Sequence, residues 1–133
     1  MKRLHVLAVL LAALTSGLEA QTNMTAKIPF DFQVGSSTMP AGEYRIDYSN
    51  RVLTVRSNVG NHAAIALAQP KSRLNAPQTE VLEFRCYGSS CFFAAIWTPN
   101  SYVGGGLPTS AREKELVSRA ESLRPTAIAL GGR

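Results

Sequence analysis

Two cysteines, Cys86 and Cys91, stand in the stretch FRCYGSSCFF with four residues between them. Three chemistries use such a pair: a metal site, a redox couple or a structural disulfide. Structural zinc takes about four ligands, and beyond the first 20 residues the chain offers only these two thiols and His62. Redox pairs stand as C-x-x-C at a helix start, whereas here the spacing is longer and the flanks are strand-like. A staple fits better. With Gly88-Ser89 at the centre of a type II′ turn, Tyr87 pairs with Ser90 and Cys86 faces Cys91. This is a non-hydrogen-bonded position, where Cα atoms approach to about 4.5–5.5 Å. The same register sets Phe84 opposite Phe93, Leu82 opposite Ala95 and Glu80 opposite Trp97. Leu82, Phe84, Phe93 and Trp97 then share the disulfide's face, which should be core.

Catalytic chemistry finds less to work with. A nucleophile needs a base and an orienting group, and His62 opens a strand beside Gly60 and Asn61, where a turn-end role is expected. The carboxylates Asp31, Glu43, Asp47, Glu80 and Glu83 fall on outward strand positions, with Asp31 expected to pair with Lys27 or an arginine. VGGGLP lacks the Lys-Ser/Thr and the strand-to-helix context of a phosphate loop, and it reads as a mobile hinge. No catalytic residue, cofactor or metal ligand is assigned. Tyr44, Tyr48 and Trp97 are the candidates for lining a binding pocket.

The elements that must position these residues are mostly strands. KIPFDFQV (27–34) alternates without a break, with Ile28, Phe30, Phe32 and Val34 on one face. Pro29 places that strand, or its start, at a sheet edge. EYRIDY turns Tyr44, Ile46 and Tyr48 inward, VLTVRS follows, and HAAIALAQ is a fourth strand with Ile65 and Leu67 inward. In PAGEY, Pro40 fixes φ and Gly42 is free to take positive φ. PKSRLNAPQ reads as a polar loop. TEVLEFRCY and SCFFAAIWT are the two strongest strands, the second apolar enough to be central. PNSYVGGGLPT reads as a flexible loop. The period then changes: Ser110 and Glu113 form a capping box, and Leu116, Val117, Ala120 and Leu123 give a narrow apolar stripe over a helix from about 111 to 123 that ends at Pro125. The last residues, TAIALGGR, are a short strand or a tail. The expected fold is all-β and mainly antiparallel: a small sandwich or partly open barrel of about six strands with one short C-terminal helix.

The 133 residues divide into a leader over 1–20, a β domain over 21–106 and the helix and tail over 107–133. Lys2 and Arg3, the apolar run to Leu14 and the small, polar LTSGLEA have the layout of a secretory signal peptide, cut after Ala20 or after Gly17. The run is too short to span a bilayer, and no second long apolar run follows, so no transmembrane segment is expected in the exported chain. Export to the periplasm or beyond puts the cysteines in an oxidising compartment. The net charge of +5 comes from arginines scattered along the chain, not clustered with aromatics on one face. Nucleic acid is therefore not the expected partner; an envelope protein or an anionic or apolar ligand is.

IPFDFQVGSSTMPAGEYRI resembles the opening of a group of small exported bacterial proteins of unknown function. They share a Pro-Phe-Asp-Phe segment, a Gly-containing turn and a Leu-Pro-Ala-Gly-x-Tyr stretch. Here Pro29–Phe32, Gly35 and Met39–Tyr44 correspond, with Met39 in place of the leucine. The hairpin from Tyr87 to Trp97 and the run from Leu107 to Glu115 are similar as well. The resemblance implies a small β-rich envelope or extracellular protein and brings no catalytic residues. The reading that follows is an exported, non-enzymatic binding or structural protein. The alternatives are a carrier with an apolar pocket inside the β body and, more remotely, a small hydrolase.

Overall fold

The structure, a computed structural model, describes residues 22–119 and 126–131. The leader and its cleavage site lie outside these residues, as do the last turn expected of the helix and Pro125. In chain order the elements are β1 (Thr22–Ile28), β2 (Phe32–Val34), β3 (Ser37–Met39), β4 (Gly42–Ser49), β5 (Val52–Ser57), β6 (Ala63–Leu67), β7 (Gln69–Ser72), β8 (Val81–Tyr87), β9 (Ser90–Trp97), β10 (Val103–Gly106), α1 (Ala111–Arg119) and β11 (Thr126–Gly131). They form two open sheets packed as a sandwich. Sheet A has the order β1-β4-β5-β6; sheet B has the order β11-β8-β9-β10-β7, with β2 pairing β9 in parallel and β3 completing a hairpin with β2. The expected all-β, mainly antiparallel class with one short helix is what the chain adopts. It uses more and shorter strands than expected.

The extra strands arise where the chain changes sheets. The alternation from 27 to 34 keeps its inward phase, and Ile28, Phe32 and Val34 are buried. It is nevertheless two strands: β1 ends in sheet A at Ile28 and β2 begins in sheet B at Phe32. Pro29 cannot donate to a ladder, so the crossing falls there. Asp31 pins the crossing: its Oδ1 accepts from the Ala41 N–H at 2.8 Å. The expected pairing with Lys27 or an arginine is replaced by this contact. Tyr44, buried one turn later, donates its hydroxyl to the Pro40 carbonyl. Gly42 lies inside β4 and does not take positive φ; the left-handed glycine of this region is Gly35 at φ 59°, between β2 and β3. These contacts give the Pro-Phe-Asp-Phe and Pro-Ala-Gly-x-Tyr residues a structural task, tying the sheet-switching joint together.

A second crossing joins β6 to β7 through Ala68. It corrects two expectations. PKSRLNAPQ is not all loop, because Pro70–Ser72 belong to β7. And β6 faces the other way: Ala64 and Ala68 are buried at 5 % and 2 %, while Ile65 and Leu67 are 74 % and 73 % exposed. β2 lies against β6, and the inward positions of β6 and of the residue after it are filled by the small side chains Ala64 and Ala68.

The core between the sheets holds Phe32, Met39, Tyr44, Ile46, Leu53, Leu82 and Phe84 with no appreciable exposure. Edge-to-face ring pairs link Phe32 to Tyr44 and Phe84 to Phe32 and Phe93, with centroids 5.1 to 5.6 Å apart. The C-terminal segment is part of the same body. Leu107 is buried, and β11 pairs with β8 from Thr126↔Cys86 to Gly131↔Val81, so TAIALG is a strand. Residues after 106 thus contribute both a strand and a core side chain to the β body.

Candidate functional site

The β8–β9 hairpin carries the residues singled out from sequence. Its turn is as expected: Tyr87↔Ser90, Cys86↔Cys91 and Phe84↔Phe93 are paired, with Gly88 at φ 62°. Cys86 and Cys91 form a disulfide across it, their Cα atoms 4.0 Å apart and both residues buried. Beyond Phe84 the register shifts. A β-bulge between Glu83 and Phe84 sets Glu83 opposite Ala95, Leu82 opposite Ile96 and Val81 opposite Trp97. The expected pairs Leu82–Ala95 and Glu80–Trp97 are thus corrected. Because side chains alternate along a strand, one extra residue reverses every face beyond it. Ile96 takes the core position, and Trp97 turns to the outer face of sheet B. The bulge also frees the Ala94 carbonyl, which accepts from the Leu107 N–H at 2.8 Å.

Outside, Trp97 becomes the floor of a polar assembly. Its Nε1 donates to Glu83 Oε2 at 3.0 Å. The Arg73 guanidinium carbon lies 4.9 Å from the ring centroid and Lys71 Nζ lies 5.8 Å from it. Lys71 also reaches Glu83 Oε2 at 3.9 Å. Trp97 itself is 4 % exposed, because the two cationic side chains and β10 cover it. β10 can lie so close only because it is glycine: a Cβ on Gly104 would stand 2.7 Å from Trp97 Cε3 and 2.3 Å from the Ile96 carbonyl oxygen. The Gly-rich segment is therefore a packed strand between β7 and β9 and not the mobile hinge expected of it. A groove of about 310 Å³ runs beside this assembly, lined by Lys71, Arg73, Val81, Glu83, Trp97 and the Ala127–Ala129 stretch of β11. At its end the Arg73 N–H donates to the Tyr102 carbonyl at 2.9 Å, and the Tyr102 and Leu74 side chains are exposed.

The pocket expected to combine Tyr44, Tyr48 and Trp97 does not form. Tyr44 is 1 % exposed in the core. Tyr48 packs on Gly105, where a Cβ would stand 2.6 Å from the ring. Gly104 and Gly105 are consecutive strand residues, so Trp97 and Tyr48 lie on opposite faces of β10. Burial in the core and the charge of Asp31 hold the Tyr44 phenol above its ordinary pKa. His62 is exposed at the turn before β6, as expected.

A second polar cluster ties the helix to sheet B. Glu113 is 2 % exposed and receives Arg85 Nε at 2.9 Å and Arg85 Nη2 at 3.0 Å. The Tyr87 hydroxyl donates to its Oε2 at 3.0 Å. The Ser110 half of the capping box forms, Glu113 N–H donating to Ser110 Oγ at 3.2 Å. The carboxylate turns away from the cap to Arg85 instead. Of the expected apolar stripe, Leu116 is half-buried, Val117 is 40 % exposed and Ala120 and Leu123 lie outside the described residues; the contact that anchors the described helix most deeply is the ion pair of Glu113. The hydrogen bond to Glu113 holds the Arg85 guanidinium above its ordinary pKa. Burial, then the bond to Glu113, raises the Tyr87 phenol.

Comparison of the chain with family models, curated proteins and solved structures returns no match. The reading of the site rests on its own chemistry. Among the described residues no group of three or more His, Cys, Asp or Glu is placed to hold a metal ion, and no helix is long and apolar enough to cross a membrane. The Trp97 groove brings together a guanidinium over the ring, an ammonium, a carboxylate and the small apolar side chains of Ala127 and Ala129. No hydrogen bond among the described residues engages the Arg73 guanidinium. Sequence reasoning picked out Trp97 but missed Lys71 and Arg73, which were read as loop. Their two-residue spacing in QPKSR was the available signal.

Proposed function

We propose that the chain is an exported, non-catalytic binding protein of the envelope or extracellular space, and that its binding face is the Trp97 groove. The observation that carries the reading is the Arg73 guanidinium carbon 4.9 Å from the Trp97 ring centroid, beside Lys71. An arginine held over an aromatic ring keeps its N–H donors for an anion and, already partly ordered, loses less freedom on meeting one. The exposed Ala127 and Ala129 along the groove suit an organic body attached to that anion. The ligand class is therefore a small carboxylate- or phosphate-bearing molecule with an apolar part. Export is supported by the basic, apolar and small-residue segments of the first 20 residues and by the buried disulfide. A carrier with an internal pocket has no comparable support, since Tyr44, Tyr48 and Trp97 lie apart.

The chain has a single tryptophan, so its emission reports on the site directly. Titration with hexanoate and with hexyl phosphate is expected to shift Trp97 emission saturably, with affinity falling as salt rises. Arg73→Ala and Lys71→Ala are expected to weaken it. An emission indifferent to both ligands, or equal affinity in Arg73→Ala, sinks the reading. Amino-terminal sequencing of exported protein is expected to begin near Gln21; an intact Met1 on external material rules out the processed form.

A further inference from the structure

Among the described residues β6 is an edge of sheet A and pairs only with β5. The direction of its backbone groups follows from hydrogen bonds at its two ends. Ser57 N–H donates to the His62 carbonyl at 2.8 Å, and Ala68 N–H donates to the Arg51 carbonyl at 2.7 Å. The register Val55↔Ala64 and Leu53↔Ala66 continues that phase without a bulge. In an antiparallel ladder such positions alternate, so residues 62, 64, 66 and 68 address β5. Ala63, Ile65 and Leu67 then direct their N–H and C=O groups to the open edge, where no strand among the described residues receives them.

The side chains of the same three residues stand on the outer face. Ile65 and Leu67 are about three-quarters exposed beside the partly exposed Val52. The strand reads AAIAL, without the charge, proline or bulge that ordinarily blunts an edge. A groove of about 320 Å³ opens along it, bounded by Ser37 on one side and by Leu107 and Pro108 on another.

Charge indicates the kind of occupant. The outer-face row next to the apolar corner runs Ala63–Arg56–Arg45–Thr25. Arg45 and Arg56 are directly opposed and exposed, and neither has an ion-pair partner among the described residues. Directly opposed like charges are unfavourable. Ala63 carries only a methyl group, so an acidic side chain placed opposite it on an added strand can reach Arg56.

We propose that β6 is an acceptor edge that adds an extended segment of a partner protein as an antiparallel strand, with apolar side chains opposite Leu67 and Ile65 and an acidic one opposite Ala63. A second copy fits less well. β6 against β6 brings Leu67 opposite Ala63, supplies no acid to the arginines and joins two positively charged chains.

The test uses the full exported chain and a fluorescein-labelled peptide with the core Val-Thr-Val-Thr-Glu, read by anisotropy. A version with lysine in place of the glutamate is expected to bind about tenfold more weakly at low salt, the gap narrowing as salt rises. N-methylation of the second valine, whose amide faces Ile65, is expected to abolish binding; N-methylation of a threonine, whose amide points away, is expected to leave it. Ile65→Lys, at an exposed position, is expected to abolish binding with an unchanged circular dichroism spectrum. Arg56→Glu is expected to reverse the preference for glutamate over lysine. Equal affinity for the two peptides, insensitivity to the valine N-methyl group, or undiminished binding by Ile65→Lys overturns the proposal. So does a dimer in sedimentation that Ile65→Lys dissolves while no peptide binds, or binding confined to anionic vesicles.

Discussion

Arg85 and Glu113, 28 residues apart, meet in a two-point ion pair that fastens the only helix among the described residues to the outer face of sheet B. Glu113 is the one buried residue of that helix. The Arg85 side chain is 25 % exposed, so removing its partner strands a mostly buried charge. Glu113→Ala is expected to cost about 3 kcal/mol, read from denaturant midpoints. Hydrogen exchange over residues 111–119 should rise more than exchange in β9. Glu113→Gln keeps hydrogen-bonding capacity and should cost less. If Glu113→Ala were as stable as the parent, the ion pair would not be what seats the helix.

Glycine in β10 is a packing requirement. Gly104→Ala is expected to destabilise by about 2 kcal/mol and to shift Trp97 emission, because the new methyl meets the ring and a backbone oxygen. Gly105→Ala should cost a similar amount through Tyr48. At Gly106 the nearest atom is Lys71 Cδ at 3.3 Å, the flexible part of a side chain, so Gly106→Ala should be the mildest of the three. Equal midpoints for all three variants would contradict the close approach.

The disulfide closes a short loop, and its contribution is correspondingly modest, about 2 kcal/mol by chain entropy. Cys91→Ser is expected to lower the Tm by roughly 8 °C without unfolding the sandwich. A non-reduced digest should return the 86–91 cross-link by mass spectrometry. Two freely alkylating thiols in freshly exported protein would show that the bond is not made.

Tyr44 and Tyr87 predict alkaline instability. Burial is the first cause of both shifts; Asp31 adds to Tyr44 and Glu113 to Tyr87. The folded phenols hold their protons above the ordinary value of 10.0, whereas the unfolded chain releases them there. Their contribution is therefore complete below about pH 10 and is lost as pH rises through the raised folded values. The Tm should fall between pH 9 and 11, with part of the phenolate absorbance appearing only as the protein unfolds. Tyr87→Phe should flatten the fall, and a Tm that rises over this range would reverse the assignment.

What the chain makes legible by itself is what depends on neighbours in sequence. Tyr44 and Ile46 inward, the Gly88-Ser89 turn with Cys86 opposite Cys91, and the Ser110 cap all follow from period, turn chemistry and short-range hydrogen bonding. These were enough for the fold class. The arrangement of the candidate site depended on choices with no local signature. An apolar strand such as SCFFAAIWT does not contrast its two faces, so its composition carries no mark of the bulge that sends Trp97 outward. In AAIAL the larger side chains suggest the inner phase, but the alanines face β2, which arrives from the other sheet, and Ile65 and Leu67 face outward. VGGG resembles a hinge until Trp97 and Tyr48 are placed on its two faces. Glu113 looks like a cap residue until Arg85 lies beneath it. In each case the deciding partner is distant in sequence. Alternation sets which residues share a face, but only packing against that partner decides which face is turned inward.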